Sequence, residues 1–163
     1  MFGIFDGLIE RVTAASRDYY GERLVSLAVF GSVGRRTPRP DSDIDLLIVA
    51  EDLPRGRVPR VEEFGAIEAR MAQELDAARR AGYPILLSPV FKTPTEVQTG
   101  SPLFLDMIDD ARIVVDRDEF FARALGRFKA RLTELGARRI WRGNAWYWDL
   151  KPDYRPGEVF ELT

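Results

Sequence analysis

Phe30-Gly31-Ser32-Val33-Gly34-Arg35-Arg36-Thr37-Pro38-Arg39-Pro40-Asp41-Ser42-Asp43-Ile44-Asp45-Leu46-Leu47-Ile48 is the stretch on which the fold turns. It joins two strand-like runs. Leu24-Val-Ser-Leu-Ala-Val-Phe30 is short, apolar and β-branched, and ends in Gly31-Ser32, so it reads as a strand running into a turn. The residues from Val33 to Ser42 are rich in Gly, Arg, Pro, Ser and Asp and read as a loop, with room for a short helical turn started by Ser32. Asp43-Ile-Asp-Leu-Leu-Ile-Val-Ala50 is a second strand, apolar on both faces after its acidic start, as the middle of a covered sheet requires. The two strands are expected side by side.

Outward from this centre the periodicities alternate between helix and strand. Phe2, Phe5, Leu8, Ile9 and Val12 recur at helical spacing, so roughly the first eighteen residues form an amphipathic helix stopped near Gly21. After a loop from Glu51 to Pro59, Val61, Phe64, Ile67, Met71 and Leu75 mark a second helix, with Gly82 as its stop. Ile85-Leu-Leu-Ser-Pro-Val-Phe91 is a third strand, and Pro89 places it at an edge or an irregular end. Ser101-Pro102 opens a short helix through Leu105 and Ile108, Arg112 to Val115 is one more short strand, and Asp116 caps a helix striped with Phe121, Leu125, Phe128, Leu132 and Leu135. Beyond Gly136, Ile140-Trp-Arg and Ala145-Trp-Tyr-Trp flank Gly143-Asn144, the pattern of a two-residue hairpin. The expected fold is α/β in the α+β sense: a small mixed sheet with helices packed on it, then a C-terminal helix and an aromatic hairpin. Residues 1–163 read as one unit, with a core over about 1–116 and the helix and hairpin over 117–163.

Composition narrows the chemistry. The 163 residues include no cysteine and no histidine, which removes thiolate metal sites, disulfides, imidazole bases and serine–histidine triads together. Catalysis is left to carboxylates, hydroxyls, lysine and arginine. A net charge of -2 argues against a dedicated nucleic-acid binder. No apolar run approaches the roughly 18–20 residues of a bilayer span, and the N-terminus lacks a signal-peptide pattern, so a cytoplasmic protein is expected.

Asp43 and Asp45, one residue apart on a strand, present both carboxylates to one face and suit one or two Mg²⁺ ions. Alone, such a pair is more often solvated or engaged in capping. Gly31-Ser32 alone is an ordinary turn. Together, the Gly-Ser after the first strand, ten intervening residues and Asp-x-Asp on the second resemble the signature of the polymerase β type nucleotidyltransferase superfamily. The resemblance covers about residues 24–50, and the short chain around it is similar to the minimal nucleotidyltransferase group. It implies that Gly31 and Ser32 contact a triphosphate, that Asp43 and Asp45 are catalytic and hold Mg²⁺ or Mn²⁺, and that ATP or another nucleoside triphosphate is the substrate. An NMP, AMP first, would pass to a hydroxyl of a protein, a small molecule or an RNA. A helical HEPN-type protein partner, as in two-gene toxin–antitoxin modules, is implied as well.

Arg35 and Arg36 follow the signature and suit charge-assisted contacts to phosphate, although arginines in such a loop are equally often plain surface residues. Active members of the superfamily carry a third carboxylate on a later strand; here Ser88 takes the corresponding inward position on 85–91, Lys92 ends that strand, and Glu96 is read as a loop residue beyond it. Two alternatives therefore stand beside the enzyme: a nucleotide- or partner-binding module that has lost turnover, and an RNA-binding module using Trp141, Trp146, Tyr147 and Trp148 among the basic residues of the tail. For that tail the plainer reading is a hairpin folded over the stripe of the preceding helix.

Overall fold

The computed structural model describes every residue except Asn144, so the second turn residue of the expected hairpin lies outside the described residues. The elements run α1 (Phe2–Tyr20), β1 (Leu24–Phe30), the single turn α2 (Gly31–Gly34), β2 (Ile44–Ala50), α3 (Arg57–Arg80), β3 (Leu87–Lys92), α4 (Pro94–Thr99), β4 (Arg112–Asp116), α5 (Phe120–Glu134), β5 (Arg138–Arg142) and β6 (Ala145–Asp149). Short 3₁₀ turns follow α1, precede β4 and precede α5. This is the mixed α/β arrangement expected from the sequence.

The main sheet has the order β3-β2-β1-β4. β1 lies antiparallel to both β2 and β4, whereas β2 and β3 are parallel and joined through α3. The two apolar strands are central because both of their faces must be covered, and β1 is buried at every position. Leu27, Leu46, Leu47 and Ile48 have no exposed surface, each stabilising the fold by roughly 1.5–3 kcal/mol relative to exposure. Pro89 sits on the edge strand, where its missing N–H costs no ladder bond.

Strand alternation sorts the core into two layers. Leu27, Val29, Ile44, Leu46 and Ile48 face α1 and α3, meeting Phe5, Val12, Phe64, Ile67 and Met71. Val25, Ala28, Phe30, Leu47 and Val49 face α5 and the segment before β4, meeting Phe104, Met107, Phe121 and Phe128. A register shift between Leu24 and Ser26 lets the strand change faces there. Ser26 is fully buried and donates to Asp116 Oδ1 at 2.7 Å. Asp116 also accepts from Phe121 N at 2.8 Å and Ala122 N at 3.0 Å, so it caps α5 from the end of β4, across an intervening 3₁₀ turn.

Some boundaries differ from expectation. α3 begins at Arg57, four residues before its first apolar marker, because Pro59 is tolerated within a first helical turn. The Ser101-Pro102 segment is a 3₁₀ helix, Pro102–Asp106, with Ser101 accepting from Leu103 N. Glu96 is not in a loop. Thr93 and Glu96 form a reciprocal capping box around Pro94 and build α4, a signal present in the sequence as Thr-Pro-Thr-Glu.

Candidate active site

Asp45 points to the α5 side of the sheet, the same side as Leu47 and Val49, since alternate strand residues share a face. In register it lies between Phe30 of β1 and Ser88 of β3. Asp43, just before β2, projects to the same side and is exposed, while Asp45 is partly buried. The start of β2 is anchored by Ile44 N donating to Leu86 O at 2.9 Å.

Gly31 takes φ +65° immediately after β1 and lies directly over Asp45. A Cβ built there would overlap Asp45 Oδ2 and stand 3.1 Å from its Cγ. Glycine is thus required twice, by the positive φ and by contact with the carboxylate. Gly34 is confined as well: a Cβ would come within 2.8 Å of both Val29 O and Asp110 O, so the chain before β4 crosses against the turn. Ser32 C=O accepts from Thr37 N at 2.8 Å, and Arg35 N donates to Gly31 O at 3.1 Å. The turn has no side-chain cap among the described residues.

Burial, followed by repulsion from Asp43, pushes the Asp45 carboxyl above the ordinary aspartate pKa; the Ser88 hydroxyl and the Arg35 charge oppose that shift. The partly buried Asp45 carboxyl, with the exposed Asp43 carboxyl near it, is a donor set that a divalent cation would relieve. Among the described residues no three acidic side chains converge as a metal site. The place beside Asp45 on β3 is held by Ser88, as the sequence led us to expect.

The remaining candidates separate. Arg35 turns toward Asp110, with Nη1 3.8 Å from Oδ2, and stacks 4.9 Å over the Trp146 ring. Arg36, at φ +60°, lines a groove with Asp6, Arg17 and Arg112 between α1 and β4, on the other side of the sheet from Asp45. Glu96 is engaged by Arg60 through two bonds of 2.8 and 2.9 Å, which with the Thr93 amide hold its carboxyl below the usual glutamate range. Arg60 also donates to Pro54 O and Phe91 O, tying the start of α3 to the end of β3. Glu96 therefore braces β3 and α4. Lys92 lines a cleft of about 350 Å³ with Arg57, Arg60, Ser88 and Glu96, at the outer edge of β3.

The hairpin forms as expected, but its position differs from a simple cover over α5. Trp148 and Leu150 reach the core on the α5 side, while Trp146 and Arg139 meet Arg35 and Asp110 beside the Gly31–Gly34 turn. Periodicity reveals that a hairpin exists and is silent on what it docks against.

A family model for a nucleotidyltransferase domain matches residues 9–102, which is more than half of the chain. A Methanocaldococcus jannaschii protein named "Putative protein adenylyltransferase MJ1305" is 27% identical over 128 residues, covering 77% of this chain and 82% of that protein. Two solved structures are similar at lower identity. One, described as a toxin–antitoxin with AMP-PNP, is 18% identical with a TM-score of 0.47, covering 78% of this chain and 91% of its own. The other, a mutant toxin–antitoxin MntA-HpeT, is 16% identical with a TM-score of 0.44 over the same shares.

Proposed function

Because this chain belongs to the nucleotidyltransferase domain family, we propose that it transfers a nucleoside monophosphate, AMP first, from a triphosphate to a hydroxyl, with Asp43 and Asp45 as the metal ligands. The observation that carries the assignment is the contact of Gly31 with Asp45. The turn that would receive phosphate lies against the carboxylate of Asp45, so the turn and a metal held there can reach one triphosphate.

Asp43 and Asp45 would hold Mg²⁺ or Mn²⁺. When bound there, the ion neutralises phosphate oxygens and supports departure of pyrophosphate. The backbone at Gly31 and Ser32 approaches the phosphates closely because no side chain intervenes at position 31, and Arg35 supplies positive charge on the same side. An acceptor oxygen bonds to the α-phosphorus as the bond to the bridging oxygen breaks, and pyrophosphate leaves with that electron pair. The acceptor's proton passes to water along the exposed Ser88 edge. A protein hydroxyl is the preferred acceptor, following the name borne by the Methanocaldococcus jannaschii relative. A helical HEPN-type partner and a cytoplasmic setting belong to the same proposal; among the described residues no helix is long and apolar enough to cross a membrane.

One observation favours a second reading. Ser88 in the row beside Asp45 leaves the site with two carboxylates, which suits a domain that binds nucleotide and metal without turnover. Incubation with α-labelled ATP, GTP, CTP and UTP and Mg²⁺ or Mn²⁺, with and without cell extract, decides between the two. Metal-dependent label transfer and pyrophosphate release, both lost in an Asp43→Ala/Asp45→Ala variant, establish the enzyme. Thermal stabilisation by nucleotide plus metal without transfer establishes the binding module. If the wild type does neither, both readings fall.

A further inference from the structure

The hairpin places Arg139, Trp141, Trp146 and Trp148 on a single face, since Arg139 pairs with Trp148 and Trp141 with Trp146. That face is turned to the Gly31–Gly34 side of the domain. The Arg139 guanidinium lies 5.0 Å from the Trp146 ring centre and 5.7 Å from that of Trp148, and 3.3 Å from Asp110 Oδ2. The same Oδ2 is 3.8 Å from Arg35. Arg35 in turn stacks on the other available partner, Trp146, at 4.9 Å. Asp110 and Arg139 keep only 15% and 16% of their side-chain surface, so this is a sheltered cluster.

We infer that the C-terminal hairpin is a wall of the nucleotide site, in which Trp146 and Asp110 are positioning residues that hold the Arg35 guanidinium ready for a nucleoside triphosphate's phosphates. The inference rests on the nucleotidyltransferase reading and extends it to a part of the chain outside the matched residues 9–102. Three features carry it. Arg35 directly follows the turn that touches Asp45, and its amide closes that turn on Gly31 O. One carboxylate serves two guanidiniums, which leaves the cluster with surplus positive charge that a polyanion can complete. A long side chain already fixed by stacking and an ion pair gives up less freedom when it meets phosphate than a free one.

The coupling is mechanical as well as electrostatic. Asp110 is held in place where its backbone passes against Gly34, so the hairpin, the segment before β4 and the phosphate turn form one contiguous packing unit. Covering the core would require Trp148 and Leu150 but not Trp146, which spends its ring on Arg35 and Arg139.

The test measures AMP-PNP affinity with Mg²⁺ by calorimetry for the wild type, Trp146→Ala, Trp146→Phe, Arg35→Ala and the Trp146→Ala/Arg35→Ala double variant, with thermal melts confirming the folded state of each. Trp146→Ala is expected to weaken binding about tenfold, the scale of a sheltered cation–π contact, and Trp146→Phe to restore most of it. The double variant should bind no more weakly than Arg35→Ala alone, because Trp146 acts through Arg35. Since all three tryptophans of the chain lie on this face, nucleotide addition should also change intrinsic fluorescence. Wild-type affinity in Trp146→Ala, or losses that add in the double variant, would overturn the inference while leaving the nucleotidyltransferase reading intact. No nucleotide binding by the wild type overturns both.

Discussion

Replacing Gly31 by alanine probes the contact on which the site is built. Two costs arise from one methyl group. The backbone at φ +65° is left-handed, which costs a non-glycine residue about 1–2 kcal/mol. The new Cβ also overlaps the Asp45 carboxylate, which must swing off its rotamer, at about 0.5–1.5 kcal/mol more. Gly136→Ala separates the two effects, because Gly136 has φ +68° with nothing within 4 Å of its virtual Cβ. Denaturant unfolding should show a loss of about 1–2 kcal/mol for Gly136→Ala and roughly 2–3 kcal/mol for Gly31→Ala. In the label-transfer assay, scaled to the folded fraction, Gly136→Ala should match the wild type. Gly31→Ala should lose about 100-fold, since a displacement on the order of 1 Å at the reacting groups costs that much. Equal stability losses in the two variants, or undiminished transfer by Gly31→Ala, would refute the claim that Asp45 must stay where Gly31 leaves room for it.

Further outcomes follow from the same geometry. Asp45→Asn should abolish transfer, by about 100-fold or more, yet raise Tm at neutral pH. The folded-state pKa of Asp45 lies above its unfolded value, so its contribution is most favourable in acid and is lost as pH rises through the folded pKa; the Tm gap should close on acidification. Ser88→Asp places a third carboxylate beside Asp45 and should tighten Mn²⁺ binding by about tenfold or more, while lowering Tm in chelator because three like charges then meet; calorimetry and melts with and without metal read both effects. Glu96→Gln should cost about 1 kcal/mol at pH 7, a figure limited by the 41% exposure of Glu96. Arg60, the Thr93 amide and Lys92 hold the Glu96 pKa down, so its contribution is present above the unperturbed 4.5 and fades as pH falls through the lower folded value. Unfolding curves of both proteins should therefore converge in acid.

The linear chain already contained the strands, the turn and the acidic pair. Local chemistry explains why: β1 and β2 are continuous apolar runs, Gly31 and Gly34 punctuate them, and two acids at a period of two must share a strand face whatever the sheet around them does. Glu96 belongs with the locally encoded features, since Thr93, Pro94 and Glu96 spell a capping box within four residues. The order β3-β2-β1-β4, by contrast, depends on which strand edges meet once the helices have covered both faces, and no spacing within a strand encodes it.

The same limit divides the candidate site. Sequence alone determined that a Gly-Ser turn and an Asp pair flank one loop. Only the tertiary structure decided that Arg35 and Arg36, adjacent in the chain, go to opposite sides of the sheet. It also carried Trp146, 111 positions further along, onto Arg35. The physical reason is that short-range preferences act through the backbone over a few residues. Burial and charge pairing act through space, and choose partners only after the chain has folded back on itself.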